Sequence, residues 1–133
     1  MKGPTWFDRA DCLAIHEMML AQHGGLDGVR DEGLLESALN RPRHLHEYGR
    51  PSACELAASY AGGVIRNHPF NDGNKRTGFM LAAAFLELNG FRLTAPEEEV
   101  YVQTLAFAAG ETDEAGYAGW LARVSVPART RRK

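Results

Sequence analysis

The chain has 133 residues, with 15 Lys+Arg against 17 Asp+Glu for a formal net charge of −2, and 44% of its residues are hydrophobic. That length accommodates one domain around a single core, and the near-neutral balance lacks the global basic field of a nucleic-acid binder. The continuous apolar run Phe79–Leu86 falls far short of the ~18–20 residues of a membrane span, and Met1–Trp6 has no apolar stretch of the signal-peptide kind, so a cytoplasmic location is expected.

In chain order the pattern is helix after helix. Thr5–Asp8 is a start signal, and Cys12, Ile15, Met18 and Met19 recur at helical spacing until His23-Gly24-Gly25. A short helix from about Asp31 to Asn40 is expected to bury Leu34, Leu35, Ala38 and Leu39. Pro42 and Pro51 then bracket Arg41–Arg50, expected to be irregular and to serve as a protein-substrate edge or a plain surface connector. Ser52-x-x-Glu55 is a capping-box pattern opening a helix with Leu56, Tyr60 and Val64 on one face, which runs out near Asn67. After the segment His68–Thr77 comes a helix apolar almost all round, Phe79–Leu88, stopped by Asn89-Gly90.

Thr94-Ala95-Pro96-Glu97 heads a fifth helix carrying Val100, Tyr101, Leu105 and Ala108, ended by Gly110. Thr112-Asp113 starts a last one with Tyr117, Trp120, Leu121 and Val124, ended by Pro127. No strand is expected. The fold class is therefore all-α, one compact bundle of five to seven helices over residues 1–133, with 128–133 a frayed basic tail rather than a DNA-binding arm. Cys12 and Cys54 lie inside helical patterns without CxxC spacing, and two buried free thiols are expected.

The segment between the two central helices concentrates the chemistry. His68-Pro69-Phe70-Asn71-Asp72-Gly73-Asn74-Lys75-Arg76-Thr77 gathers a histidine, a carboxylate, two amides and two cations around one glycine. Lys75 and Arg76 fall in the first turn of the following helix, where the dipole disfavours cations by roughly 0.3–1 kcal/mol each. A bound anion reverses that sign, because amides, dipole and both side chains then face negative charge. Gly73, Asn74, Lys75 and Arg76 are therefore the candidate phosphate-binding residues, supplying close backbone approach, an amide, a point charge and a planar fork. A capped turn with two solvated cations is the plainer alternative. His68 is the candidate general base, since imidazole accepts a hydroxyl proton near neutral pH. For His16, His23, His44 and His46 the expectation is an ordinary structural role. Asp72, the loop's only carboxylate, is the candidate Mg²⁺ ligand beside substrate phosphates, or else a helix N-cap. Pro69 and Phe70 are expected to be scaffold.

This segment resembles the signature of the Fic/Doc superfamily, His-Pro-Phe-x-(Asp/Glu)-Gly-Asn-(Gly/Lys)-Arg, matching each fixed position with His68, Pro69, Phe70, Asp72, Gly73, Asn74 and Arg76. Lys75 stands at the variable position, as in the Doc (death-on-curing) branch. Arg30–Leu39, Glu55–Ala61 and Phe85–Gly90 resemble the helices around that loop. The resemblance implies a Fic/Doc-like bundle with His68 as base and ATP and Mg²⁺ as nucleotide and metal. For the Doc branch it implies the toxin of a toxin–antitoxin pair, a protein kinase that phosphorylates a threonine of elongation factor Tu and stops translation. The Fic branch, with Gly at the position of Lys75, transfers AMP to a protein hydroxyl, so an AMP-transferase is the alternative, and a non-catalytic binding or regulatory module a third. Many Fic proteins carry an inhibitory Ser/Thr-x-x-x-Glu-(Gly/Asn) helix. Here Thr94–Glu98 is followed by Glu99, which departs from it, so an inhibitor in trans is implied, an antitoxin of the Phd type.

Overall fold

The computed structural model describes residues 3–128, which form six α-helices and one two-stranded antiparallel sheet. The basic tail expected from residue 128 onward lies, beyond Ala128, outside the described residues. Helix α1 spans Arg9–His23 and begins on a reciprocal capping box between Asp8 and Asp11. Its buried residues are Cys12, His16 and Met19, while Met18 faces solvent, so a histidine takes the place that apolar periodicity assigned to methionine.

Helix α2 spans Glu32–Tyr48, running straight through Pro42 over the stretch expected to be irregular. An internal proline costs ~3 kcal/mol in an isolated helix, and tertiary contacts override it here. The Pro42 ring is buried, Arg41 pairs with Glu114 and reaches the Ser59 carbonyl, and Arg43 donates to the Phe7 carbonyl while lying over the Trp6 ring. The irregular conformation expected of Arg41–Arg50 is thus replaced, as far as Tyr48, by helix tied down on both sides.

Helix α3, Ala53–Asn67, starts on the expected capping box of Ser52 and Glu55 and is the centre of the molecule. Every residue from Leu56 to Ile65 is buried, since α2, α6 and α4 cover three sides of it. Helix α4, Asn74–Leu88, packs against α3 at close range: a Cβ on Gly78 would sit 2.8 Å from Ile65 Cγ1 and 3.1 Å from the Ala61 carbonyl. That closeness fixes the two helix ends that flank the signature loop.

Beyond α4 two short strands appear where none is expected. β1, Phe91–Leu93, pairs antiparallel with β2, Ser125–Pro127, with Arg92 opposite Val126. Three residues are too few for an alternation to register in sequence. Thr94 prolongs this pairing, giving both its N–H and its hydroxyl to the Val124 carbonyl, and so does not cap α5 as expected. Helix α5, Glu97–Ala108, buries Thr104 and Phe107, while Tyr101, Leu105 and Ala108 of the expected face are exposed. The turn toward Thr104 is set by its bond with Tyr117 Oη, 2.8 Å, under the stacked rings of Phe107 and Tyr117. Helix α6, Glu114–Arg123, starts at Asp113 and buries Tyr117, Trp120 and Leu121 as expected. Cys12 is fully buried, but Cys54 is only half-buried, near the Ser125 hydroxyl.

Candidate active site

The loop from His68 to Gly73 joins the C-terminus of α3 to the N-terminus of α4. His68 ends α3 in the left-handed region, φ 52° and ψ 55°, the one non-glycine with positive φ among the described residues. Such a conformation costs roughly 1–3 kcal/mol and persists only where neighbours enforce it. The enforcing group is Arg30, whose Nε donates to the His68 carbonyl at 2.7 Å and whose Nη2 donates to the Asn67 carbonyl at 3.0 Å.

Arg30 belongs to a segment, residues 24–31, that runs antiparallel beside the loop. The Pro69 carbonyl accepts the Arg30 N–H at 2.6 Å and the Asp31 N–H at 3.1 Å. Val29 and Phe70 form a β-bridge, the Asn71 N–H donates to the Gly28 carbonyl, and the Asn71 amide donates to the Asp27 carbonyl. Gly25 permits the approach, since a Cβ there would meet Asp72 Oδ2 at 2.9 Å, and its φ of +124° suits no other residue. Neither Arg30 nor this brace is among the site residues expected from sequence. The brace is made of main-chain bonds across some forty positions, and the paired glycines read only as the stop of α1.

Pro69 and Phe70 are buried, the scaffold role expected of them. Asn74 closes the loop from the other side: its Oδ1 accepts the Phe70 N–H at 3.1 Å and its Nδ2 donates to the Phe70 carbonyl at 3.0 Å. Its amide, expected to reach a phosphate, is therefore engaged within the loop, leaving the main-chain N–H at the helix end. The exposed His68 ring has its Nδ1 3.4 Å from Asn74 Nδ2. An amide nitrogen donates, so this arrangement places the ring's lone pair at Nδ1 and its proton at Nε2. The contact is long and holds the ring weakly.

Gly73 is the N-cap of α4 and offers no side chain; the first intrahelical bond runs from the Thr77 N–H to the Gly73 carbonyl, 2.9 Å. The N–H groups of Asn74, Lys75 and Arg76 thus open outward at the positive end of the dipole. Lys75 and Arg76 are exposed there and join neither of the two ion pairs found among the described residues, Arg9–Glu32 and Arg41–Glu114.

Asp72 is not a cap. Its Oδ1 accepts the Gly73 N–H at 3.0 Å, its Oδ2 accepts the Leu26 N–H at 3.2 Å, and its carbonyl accepts from His16 Nε2 at 2.9 Å. Each carboxylate oxygen keeps a lone pair on an exposed residue. Among the described residues no three His, Cys, Asp or Glu converge to hold a metal. A single oriented carboxylate fits Mg²⁺ carried by a nucleotide, with phosphates and water completing the shell, and does not fit a dedicated protein cage. Two clefts of about 430 and 470 Å³ lie elsewhere, one lined by Leu45, Pro51 and Glu114, the other by Phe7, Leu35 and Arg43. The loop face is identified by its chemistry and not by its depth.

The chain is similar to known proteins over most of its length. The profile of the Fic/DOC family matches residues 6–86. "Protein kinase doc" of Escherichia phage P1 is 31% identical over 115 residues, 86% of this chain and 90% of the relative. "Toxin Doc" of Mycolicibacterium smegmatis is 39% identical over 93 residues, 68% of each chain.

Proposed function

The chain belongs to the Fic/DOC family, and from that premise we propose that it is a toxin acting as an ATP-dependent protein kinase on a threonine hydroxyl of elongation factor Tu. The observation that carries this reading is the adjacency of His68 to a helix N-terminus without a side-chain cap, bearing two cations that join no ion pair among the described residues. The relative named a protein kinase, which shares most of its length with this chain, supports the choice of reaction.

In the reaction His68 accepts the proton of the target hydroxyl as its oxygen bonds to the γ-phosphorus of ATP. The bond from that phosphorus to the β,γ-bridging oxygen breaks, and ADP departs. The N–H groups at the start of α4, with Lys75 and Arg76, face the phosphate oxygens throughout and stabilise the charge that develops on them. Asp72 would hold Mg²⁺, which when bound would supply neutralisation of the phosphate charge. Lys75 places bulk and a fixed cation where AMP-transferring relatives have glycine, and this favours phosphoryl over adenylyl transfer. The antitoxin, of the Phd type, acts in trans; on α5 the exposed Tyr101, Val102 and Leu105 offer apolar surface that such a segment covers.

Induction of the native chain without antitoxin is expected to arrest growth, and His68→Ala, folded by circular dichroism, to relieve the arrest. A folded alanine variant as toxic as the native chain contradicts the assignment, because loss of a general base costs on the order of 10²–10⁴ in rate.

A further inference from the structure

The most unusual buried polar group outside the reacting residues is His16. It lies on α1, 2% exposed, with its ring flat on Phe70, centroids 3.8 Å and planes 8° apart. Its Nε2 is 2.9 Å from the Asp72 carbonyl, and a Cβ on Gly73 would meet the same ring at 3.7 Å. A carbonyl only accepts, so Nε2 carries the proton. A phenylalanine ring would fill the stack equally well, and α1 needs no polar group here for its own bonding. What histidine adds is one donor, aimed at the peptide between the candidate metal ligand and the helix N-cap.

Resting on the proposed function, we propose that His16 is a positioning residue that locks the Asp72–Gly73 peptide plane and so presents the Asp72 carboxylate to nucleotide-bound Mg²⁺. Gly73, at φ 79°, has no Cβ to resist rotation of that plane. A flip would set the Asp72 carbonyl against its own carboxylate and turn the Gly73 N–H, now on Oδ1, away. The Leu26 N–H alone would then hold the carboxylate. Donation from His16 to the carbonyl blocks the flip from the buried side, 56 positions away in sequence. The restraint works through an outer contact, whose loss typically costs about 10- to 100-fold in metal affinity or activity.

Two readouts separate this claim from the reading it rests on. His16→Phe keeps the stack and loses the donor, His16→Met does so with a flexible apolar chain, and His16→Gln restores a donor without the imidazole. Amide hydrogen exchange at Leu26 and Gly73 is followed by NMR, and ATP binding is titrated against Mg²⁺ by calorimetry. In whichever apolar variant stays folded, both amides exchange faster and half-maximal ATP binding needs about 10- to 100-fold more Mg²⁺. His16→Gln moves both readouts back toward the native values. Native exchange in a folded apolar variant overturns the lock, as does a glutamine variant no better than the apolar ones. Faster exchange with an unshifted Mg²⁺ dependence overturns the link to metal presentation. If the native protein itself binds no ATP at any Mg²⁺ level, the kinase reading fails, and the exchange data alone still decide the lock.

Discussion

Asn74 and Phe70 bond each other twice, side-chain amide to main-chain peptide, in both directions at once. The pair turns the chain between α3 and α4 through a fixed corner and leaves the Asn74 N–H, and not its side chain, facing outward. Both bonds are buried. Asn74→Ala therefore strands a donor and an acceptor of the Phe70 backbone, at about 1–3 kcal/mol each where water cannot replace the amide. Asn74→Asp keeps the acceptor but sets a carboxylate oxygen against the Phe70 carbonyl, and is expected to be no better. Urea unfolding midpoints check this: both variants fall well below the native protein. A midpoint of Asn74→Ala equal to the native one contradicts the clamp.

Gly24 and Gly25 give a matched test of the brace behind the loop. Both have positive φ, but a Cβ on Gly24 meets nothing within 4 Å, whereas one on Gly25 runs into Asp72 Oδ2 and Leu20 Cδ2. Alanine costs each site roughly 1–2 kcal/mol of backbone strain, and at Gly25 it also displaces the carboxylate. Gly25→Ala is expected to weaken Mg²⁺-dependent ATP binding, measured calorimetrically, while Gly24→Ala leaves it near native. Equal effects on ATP binding in both variants would remove the brace from the account of the site.

Much of this arrangement is legible in sequence, and the remainder is not for identifiable reasons. The Ser52–Glu55 capping box, the buried α4 and the density of ionisable groups from His68 to Arg76 are local patterns, and each lies where its residues indicate. The run of α2 through Pro42 depends on Arg41 and Arg43 reaching Glu114 and Phe7, partners distant in the chain. The sheet rests on six residues joined only after α5 and α6 have been crossed. The support under His68 is the least visible of all. Arg30 acts through carbonyls, and any residue type supplies a carbonyl, so no pattern marks the ones it chooses.

Alkaline pH should expose the two acids of the core that burial shifts most, Cys12 and Tyr117. Burial pushes the Cys12 thiol from 9.0 up to about 12, and burial likewise pushes the Tyr117 hydroxyl from 10.0 up to about 12 against the opposing bond from Thr104. Both folded values are raised, so below pH 9 the two states hold the same protons and stability is unaffected. Between about 9 and 12 the unfolded chain releases protons that the native chain keeps, and stability falls as pH rises. Urea midpoints are expected to drop from pH 8 to pH 10.5, less steeply in Cys12→Ala, which carries one titrating group fewer. A midpoint unchanged between the two pH values contradicts the burial of both groups.

The position of the label transferred from ATP tests the central claim most directly. Purified protein is incubated with elongation factor Tu, Mg²⁺ and ATP labelled at either the α- or the γ-phosphate, and the mass of the modified peptide is measured alongside. Lys75, in place of the glycine of AMP-transferring relatives, together with His68 and the open end of α4, predicts γ-label alone on the target and a mass gain of one phosphate. Label from the α-phosphate on the target, with the mass of a whole nucleotide, contradicts the kinase reading.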